Sequence, residues 1–359
     1  MMTRSPYVCG VTVALFIVGS AYVAAQLYAP SAGEFKKVGA AGSQFLKIPV
    51  GARAVGLGGC ASAVNDLTAI YWNPGGIGDI RNISGHFSYG QWFGGFSHNF
   101  AAVAIPLGEH YRVAASLVNF TSGDIAVTTL EQPEGTGATY SISDVAVGVT
   151  FGGRVTEQFS FGVTGRFVQN TLLDVAATGV TFDVGTLYQT DFYGLRLGFS
   201  VHNLGPNMEY TGQGLYLQRR LLDALNSDPT AMSMVTNPYA VPLMFRAGVA
   251  FDALSLLQGR MDTPKLYAEG RQEHRLVAAA DFETYSDVPE QFALGMEYTW
   301  NEILSVRAGY RFGNDQMWLT GGVGIQYIGS GFRGQMDYAI TPTRILGLVN
   351  RLSLTVTLE

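Results

Sequence analysis

The side chains able to do chemistry in this sequence are charged residues set at every second position within otherwise apolar runs. In Leu304–Gly313 (LSVRAGYRFG), Arg307 and Arg311 share a face with Ser305 and Gly309, while Leu304, Val306, Ala308, Tyr310 and Phe312 take the other. Successive side chains of a strand point to opposite faces, so this spacing predicts a strand with one apolar face and one polar, arginine-bearing face. The same placement puts Glu297 in Phe292–Trp300, Arg196 in Leu195–Val201, Arg246 in Phe245–Phe251 and Asp183 in Val180–Tyr188. Arg166, Asp252, Asp337 and Arg351 join the set. An ion-selective pore calls for a ring dominated by one sign of charge. The signs here are mixed, which predicts a hydrogen-bonded network that neutralises something held between the strands.

Other chemistry has little support. The five histidines (His86, His98, His110, His202, His274) are scattered, with no HExxH or CxxC spacing, so no metal is expected. There is no G-x-S-x-G elbow, and carboxylates such as Asp183 and Asp281 alone do not make an enzyme. Val55–Gly59 (VGLGG) lacks the Lys-Ser/Thr of a phosphate loop and reads as a tight turn. Cys60 reads as a small buried residue. The expectation is a protein that is not an enzyme and needs no cofactor.

The elements that must position these charges are strands. Alternation recurs in about fourteen segments, near 84–92, 97–106, 111–129, 138–155, 159–173, 176–189, 195–204, 242–252, 275–286, 290–300, 303–313, 317–327, 333–342 and 349–358. Each comes close to or exceeds the ~9–11 residues that a tilted membrane strand needs. An even number of strands with polar residues inward predicts a single transmembrane antiparallel β-barrel, an all-β fold whose closure leaves no edge. Alternate links are tight (Leu107–His110, Thr156–Gln158, Thr190–Gly194, Asn301–Glu302, Ile328–Gly331), as periplasmic turns are, given an N-terminus in the periplasm. The Ala253–His274 link falls on that side and has no evident reason for its length. Tyr89, Trp92, Phe93, Phe312 and Trp318 are expected in an outer aromatic girdle, and Tyr188, Tyr193, Trp300 and Tyr327 in an inner one.

Composition agrees. Glycine is 45 of 359 residues, charged residues are 14% and the net charge is −6, against about 7% glycine and 25% charge in soluble proteins. No basic tract points to nucleic acid. Arg4, the apolar Val11–Gly19 and Val23-Ala24-Ala25 read as a signal peptide over residues 1–25. Export to a Gram-negative outer membrane, with the lipid bilayer as first partner, is the expected destination. The organisation expected is a signal peptide (1–25), an N-terminal segment with a luminal plug (26–80) and the barrel (81–359).

The plug is expected in Phe45–Ile77, the one long stretch without alternation, with Arg53, Asn65, Asp66, Asn73 and Pro74 as its polar and turn-forming residues. They are to meet the lumen network of Arg166, Asp183, Arg196, Arg246, Glu297, Arg307 and Arg311. Within Gly205–Val241, LYLQRRLLDALN places Leu217, Leu221, Leu222 and Leu225 at helical spacing. That predicts an amphipathic helix on an external loop, either a ligand lid or partner-docking element or merely packing on the rim.

FLKIPVGARAVGLGGCASAVND followed by AIYWNPGGI resembles the N-terminal signature of the PorV/PorQ family. The resemblance extends through SDVAVGVTFGGRVTEQFSFGVTGRF, LRLGFSVHNLGP and NEILSVRAGYRFG to PTRILGLVNRLSLTVTL at the end. Gly75-Gly76 stands where that family more often has Ala-Gly, and Glu359 where a terminal aromatic is more usual. The resemblance implies a FadL-like barrel of about fourteen strands, with transport or scaffolding rather than catalysis. Its implied role is type IX secretion, binding or delivering secreted cargo proteins alongside a translocon and a sortase. The broader FadL-like group implies an alternative, transport of hydrophobic small molecules.

Overall fold

The computed structural model describes residues 41–219, 230–259, 266–267 and 272–359. The expected signal peptide and residues 26–40 lie outside the described residues. Fourteen long strands form the wall: β1 (Ser84–Gln91), β2 (Ser97–Leu107), β3 (Tyr111–Thr121), β4 (Ile142–Arg154), β5 (Phe159–Leu172), β6 (Val175–Gln189) and β7 (Arg196–Leu204). The second half comprises β8 (Met244–Asp252), β9 (His274–Tyr285), β10 (Gln291–Trp300), β11 (Leu304–Phe312), β12 (Leu319–Ile328), β13 (Phe332–Pro342) and β14 (Leu348–Leu358).

Each strand pairs antiparallel with its sequence neighbours, and β1 closes on β14 from Ser84↔Thr357 to Gln91↔Asn350. The sheet therefore has no free edge, so the wall's backbone donors and acceptors are met within it. One seam is irregular. The β6–β7 register shifts between Phe182 and Val184, and Asn203 beside it has a left-handed φ of 60°.

The wall is built inside out. In β10, Phe292, Leu294, Met296, Tyr298 and Trp300 are exposed while Ala293, Glu297 and Thr299 are buried. The rule repeats in β14, where Leu352 and Leu354 face out and Arg351, Ser353 and Thr355 face in. An apolar exterior around a polar interior is the inverse of a soluble sandwich and suits a bilayer-spanning barrel. Tyr89, Phe312, Trp318, Trp300, Tyr188 and Tyr327 lie on the exposed face as the girdle reading expects, whereas Trp92 and Phe93 are half-buried.

Two expectations need correction. The segments 111–129 and 138–155 are shorter as wall strands, ending at Thr121 and starting at Ile142. Gly123, with a φ of 67°, breaks the run, and Ile125–Ala126 pairs instead with Thr139–Tyr140 in a small separate hairpin. The expected helix at Leu215–Asn226 is not one where it is described: Tyr216–Arg219 is a strand paired with Thr230–Ser233. Leu217 sits exposed on that strand, opposite Met232. Leu221, Leu222 and Leu225 lie outside the described residues.

Residues 41–80 fill the lumen in short helical pieces, among them α1 (Ala52–Gly56) and α2 (Ala69–Trp72). The Gly42 N–H donates to the Ala240 carbonyl, and Lys47 pairs with Asp287 at 2.9 Å, both on the rim of the long links. At the other end the Arg112 Nε donates to the Ile80 carbonyl at 2.7 Å, on the rim where β1 starts. The described hatch thus runs the height of the barrel and begins at the rim opposite the tight turns.

Candidate functional site

The lumen has two unlike sides. From β2 to β6 the inward residues include Phe100, Ala102, Ala104, Ala114, Val118, Ala146, Val168 and Ala177, all buried. They form one apolar cluster with Phe45, Leu46, Val50, Ile70, Tyr71, Trp72, Ile77 and Ile80 of the hatch. From β7 to β14 the inward side chains carry most of the charges, with Arg112 of β3 and the Arg166–Asp183 pair of β5 and β6 the charged groups on the other side. Residue choice on the hatch follows this division: Ile, Tyr and Trp turn to the apolar wall, and Arg53 and Ser62 turn to the charged one.

Arg53 is the main polar anchor. Its Nε and one terminal nitrogen fork onto Glu297 at 2.9 and 2.7 Å, while the other donates to Asn65 at 2.5 Å and lies 3.5 Å from Asp66. Glu297 also receives Arg307 at 2.6 Å, and Arg307 reaches Asp337 at 2.7 Å. A forked arginine–carboxylate pair fixes orientation as well as charge. Higher in the lumen, Arg246 pairs with Glu283 at 2.8 Å and lies over the Trp72 ring, 4.6 Å from its centre. Arg311 shares Glu283 at 3.4 Å.

Arg196 binds Asp79 at 2.6 Å and donates to the Val64 carbonyl at 2.8 Å. Arg166 and Asp183 pair with each other at 2.7 Å, beside the irregular β6–β7 seam. There Asp183 accepts the Asn203 N–H at 2.8 Å, and the Arg166 guanidinium stacks 5.6 Å from the Tyr71 ring centre. Asn73 accepts the Gly75 N–H and donates to the Thr186 carbonyl, each near 3 Å, shaping the turn that Pro74 opens. Asp252, grouped with the lumen charges in the sequence, instead caps a short helix, α3 (Ala253–Leu257), by accepting from Leu254 and Ser255.

Close backbone approach explains part of the glycine content. A Cβ on Gly309 would fall 2.1 Å from the Gly58 nitrogen, and one on Gly162 would fall 2.1 Å from the Pro74 carbonyl oxygen. The inner wall at these points touches hatch backbone, and only glycine leaves room for it.

Two contacts with the hatch escaped the sequence reading. Asp281 on β9 accepts from the Ala61 N–H at 2.7 Å and from the Ser62 hydroxyl at 2.5 Å. The long link after β8 sends Leu266 and Tyr267 back into the barrel mouth, where Leu266 is buried and the Tyr267 hydroxyl donates to the Ala63 carbonyl. The Arg53, Arg196 and Arg275 guanidinium groups surround the Tyr267 ring, 5.2–5.8 Å from its centre. That contact is a reason for the length of the link. No periodicity marks it; the only signal was the length itself.

Below the hatch, at the tight-turn rim, a basin of about 500 Å³ is lined by polar groups including Arg53, Asp66, Asp79, Glu297, Glu302 and Arg333. Cys60 is fully buried, and burial pushes its thiol well above the usual range, as an inert packing residue requires. Among the described residues no three potential metal ligands gather.

The closed barrel with a luminal hatch has counterparts among solved structures. The CymD monoaromatic hydrocarbon channel superposes with a TM-score of 0.53, at 13% identity over 86% of this chain and 97% of that one. A Pseudomonas aeruginosa FadL homologue gives 0.50, at 11% identity over 87% and 99%. The fold is that of the FadL-type barrels. A TodX deltaS2S3 mutant, also titled a monoaromatic hydrocarbon channel, is similar at 0.50 and 11% identity over 86% and 97%. No protein-family model matches the sequence, and no curated protein matches it. At these identities the likeness is one of fold, and the FadL-type wall seen here carries its own distribution of charge and apolar surface.

Proposed function

We propose that this FadL-type barrel is an outer-membrane channel for hydrophobic small molecules, opened by movement of its hatch. The observation that carries the reading is the two-sided lumen. An apolar cluster on the inner face of β2–β6, from Phe100 to Ala177, packs against the apolar face of the hatch. A hydrophobic solute gains about 25 cal/mol for each Å² it removes from water against such a wall. The charged side gives it nothing comparable and serves to seat Arg53, Ala61 and Ser62. CymD and TodX, of similar fold, are titled monoaromatic hydrocarbon channels, which supports the same substrate class here.

The test is uptake of a radiolabelled monoaromatic hydrocarbon by cells expressing the chain, compared with Ala146→Asp and Ala104→Asp. Uptake above the empty-vector level that falls severalfold in both variants is expected. Uptake equal to the empty vector sinks the reading.

A second reading is favoured by where the PorV/PorQ resemblance sits, in the most deeply buried part of the hatch, Phe45–Ile77. In that reading the barrel stays shut and works from its outer rim, with residues 122–141 and 205–243 binding secreted cargo, a type IX translocon or a sortase. Purification from detergent-solubilised outer membrane separates the two. A stable translocon or sortase partner, together with lost surface display on deletion, supports the second; a barrel that purifies alone with display intact leaves only the first.

A further inference from the structure

Six of the buried arginines of the lumen, Arg53 on the hatch and Arg166, Arg196, Arg246, Arg307 and Arg311 on the wall, have a carboxylate within ion-pair distance. Among the described residues, Arg112 and Arg351 have no such carboxylate; Arg112 donates to the Ile80 and Glu109 carbonyls at 2.7 and 2.8 Å, and Arg351 has no acceptor as close. It is 2% exposed, and its guanidinium crosses β1 above Gly90, where a Cβ would lie 2.7 Å from Cζ. It reaches His98 on β2, with one nitrogen 3.4 Å from the His98 carbonyl oxygen and another 3.2 Å from Nδ1. A guanidinium only donates, so Nδ1 must present its lone pair and His98 carries no counter-charge through that contact. The Arg351 Nε has no acceptor. An uncompensated buried charge is strongly unfavourable, and two long neutral contacts do not offset it.

A cavity of about 20 Å³ lies beside this group, between the β1–β2 and β11–β12 links. It is lined by Arg351, Arg311, Thr341, Gly59, Trp92 and Pro49 among others. Its size is that of about one small sphere, enough for a water or a monatomic ion. Charge in this part of the lumen is short by one. Arg311 and Arg246 share the single carboxylate of Glu283, and Asp281 is engaged by the hatch donors Ala61 and Ser62. With Arg351 added, three arginines face two carboxylates.

We infer that this cavity binds one small monovalent anion of the halide class, held between the Arg351 and Arg311 guanidinium groups. The ion completes the local charge balance and ties β14 to β11 over the Gly58–Gly59 turn of the hatch. The cavity is too small for sulfate or gluconate, and the apolar sides given by Pro49 and Trp92 favour a weakly hydrated ion.

The experiment uses the full chain in detergent. Crystals grown in sodium bromide are expected to show anomalous density in the cavity, within hydrogen-bonding distance of Arg351. In parallel, thermal unfolding in chloride is compared with gluconate at equal ionic strength. A tenfold excess of chloride over its Kd is expected to raise the midpoint by about 2–4 °C. Arg351→Met should abolish that difference, because the charge that binds the ion is gone. If Arg351→Met does not fold, the bromide density in the unaltered chain decides. Absence of density at Arg351, or equal midpoints in chloride and gluconate, overturns the inference.

Discussion

Glu297 shows how one side chain can hold two structures together. It is 1% exposed and accepts from Arg53 of the hatch and Arg307 of the wall at once. Glu297→Gln keeps the shape but takes from two buried guanidinium groups the carboxylate they share, leaving Arg307 with Asp337 and Arg53 with Asn65 and Asp66; removing one partner of a buried pair costs about 3–5 kcal/mol. The expected result is a clear fall in the thermal midpoint, measured on refolded barrel. Replacing Glu297, Arg307 and Asp337 together by apolar residues (Glu297→Met, Arg307→Met, Asp337→Leu) should cost far less, since Arg53 keeps Asn65 and Asp66 and no buried charge loses its only partner. If Glu297→Gln and the triple variant lose equally, the network is not what seats the hatch. At this scale much was legible in the sequence. Period-two spacing brought Arg307, Arg311 and Glu297 to one face, and mixed sign implied pairing. Tyr267 was not legible, because a residue in a link has no repeating neighbour to reveal which way it points. Asp281 was visible as a lumen carboxylate, but its two hatch donors come from a segment without periodicity.

Among the elements, the wall strands were readable because the burial rule is strict: a one-residue slip would turn Arg311 and Glu297 into lipid. Their ends were less so, since strand termination at Thr121 depends on Gly123 and on a small local hairpin that pattern alone does not separate from a continuing strand. The Leu215–Asn226 spacing fits a helix, but Tyr216–Arg219 finds a partner strand in Thr230–Ser233, and pairing overrides a short local period. Contact between hatch and wall gives the prediction at this scale. Gly309→Val places a side chain where the Gly58 nitrogen already lies, 2.1 Å away, so β11 and the Leu57–Gly59 turn cannot both stay. The barrel has thirteen other strands to hold it, and the hatch is expected to shift. Cys60, buried in that turn, reports the shift: labelling by a thiol reagent should be slow in the unaltered chain and faster in Gly309→Val. Gly321→Ala, where the nearest atoms stand at 3.9 Å, is the control and should label as the unaltered chain does. Equal slow labelling in all three would show that the wall, not the hatch, gives way.

For the whole molecule, closure and filling are separate properties. The wall satisfies its own hydrogen bonds from β1 round to β14, whereas the hatch is held by side-chain pairs and glycine contacts. A barrel so built should survive loss of its contents. Deleting Gly51–Asn73 removes α1, α2, Arg53 and Ser62 while leaving every wall strand intact. Wall charges such as Glu297, Asp281 and Arg246 then face water, where their cost falls because hydration replaces the lost partners. The deleted protein is therefore expected to insert into bilayers as a folded barrel and to show single-channel conductance well above the unaltered chain. The apolar β2–β6 wall would be wetted on the same event, so conductance should fall again when a hydrophobic solute is added to the bath. Insertion without any gain in conductance would mean that other segments, Tyr267 and its link foremost, close the lumen without the hatch, and the hatch would lose its standing as the gate.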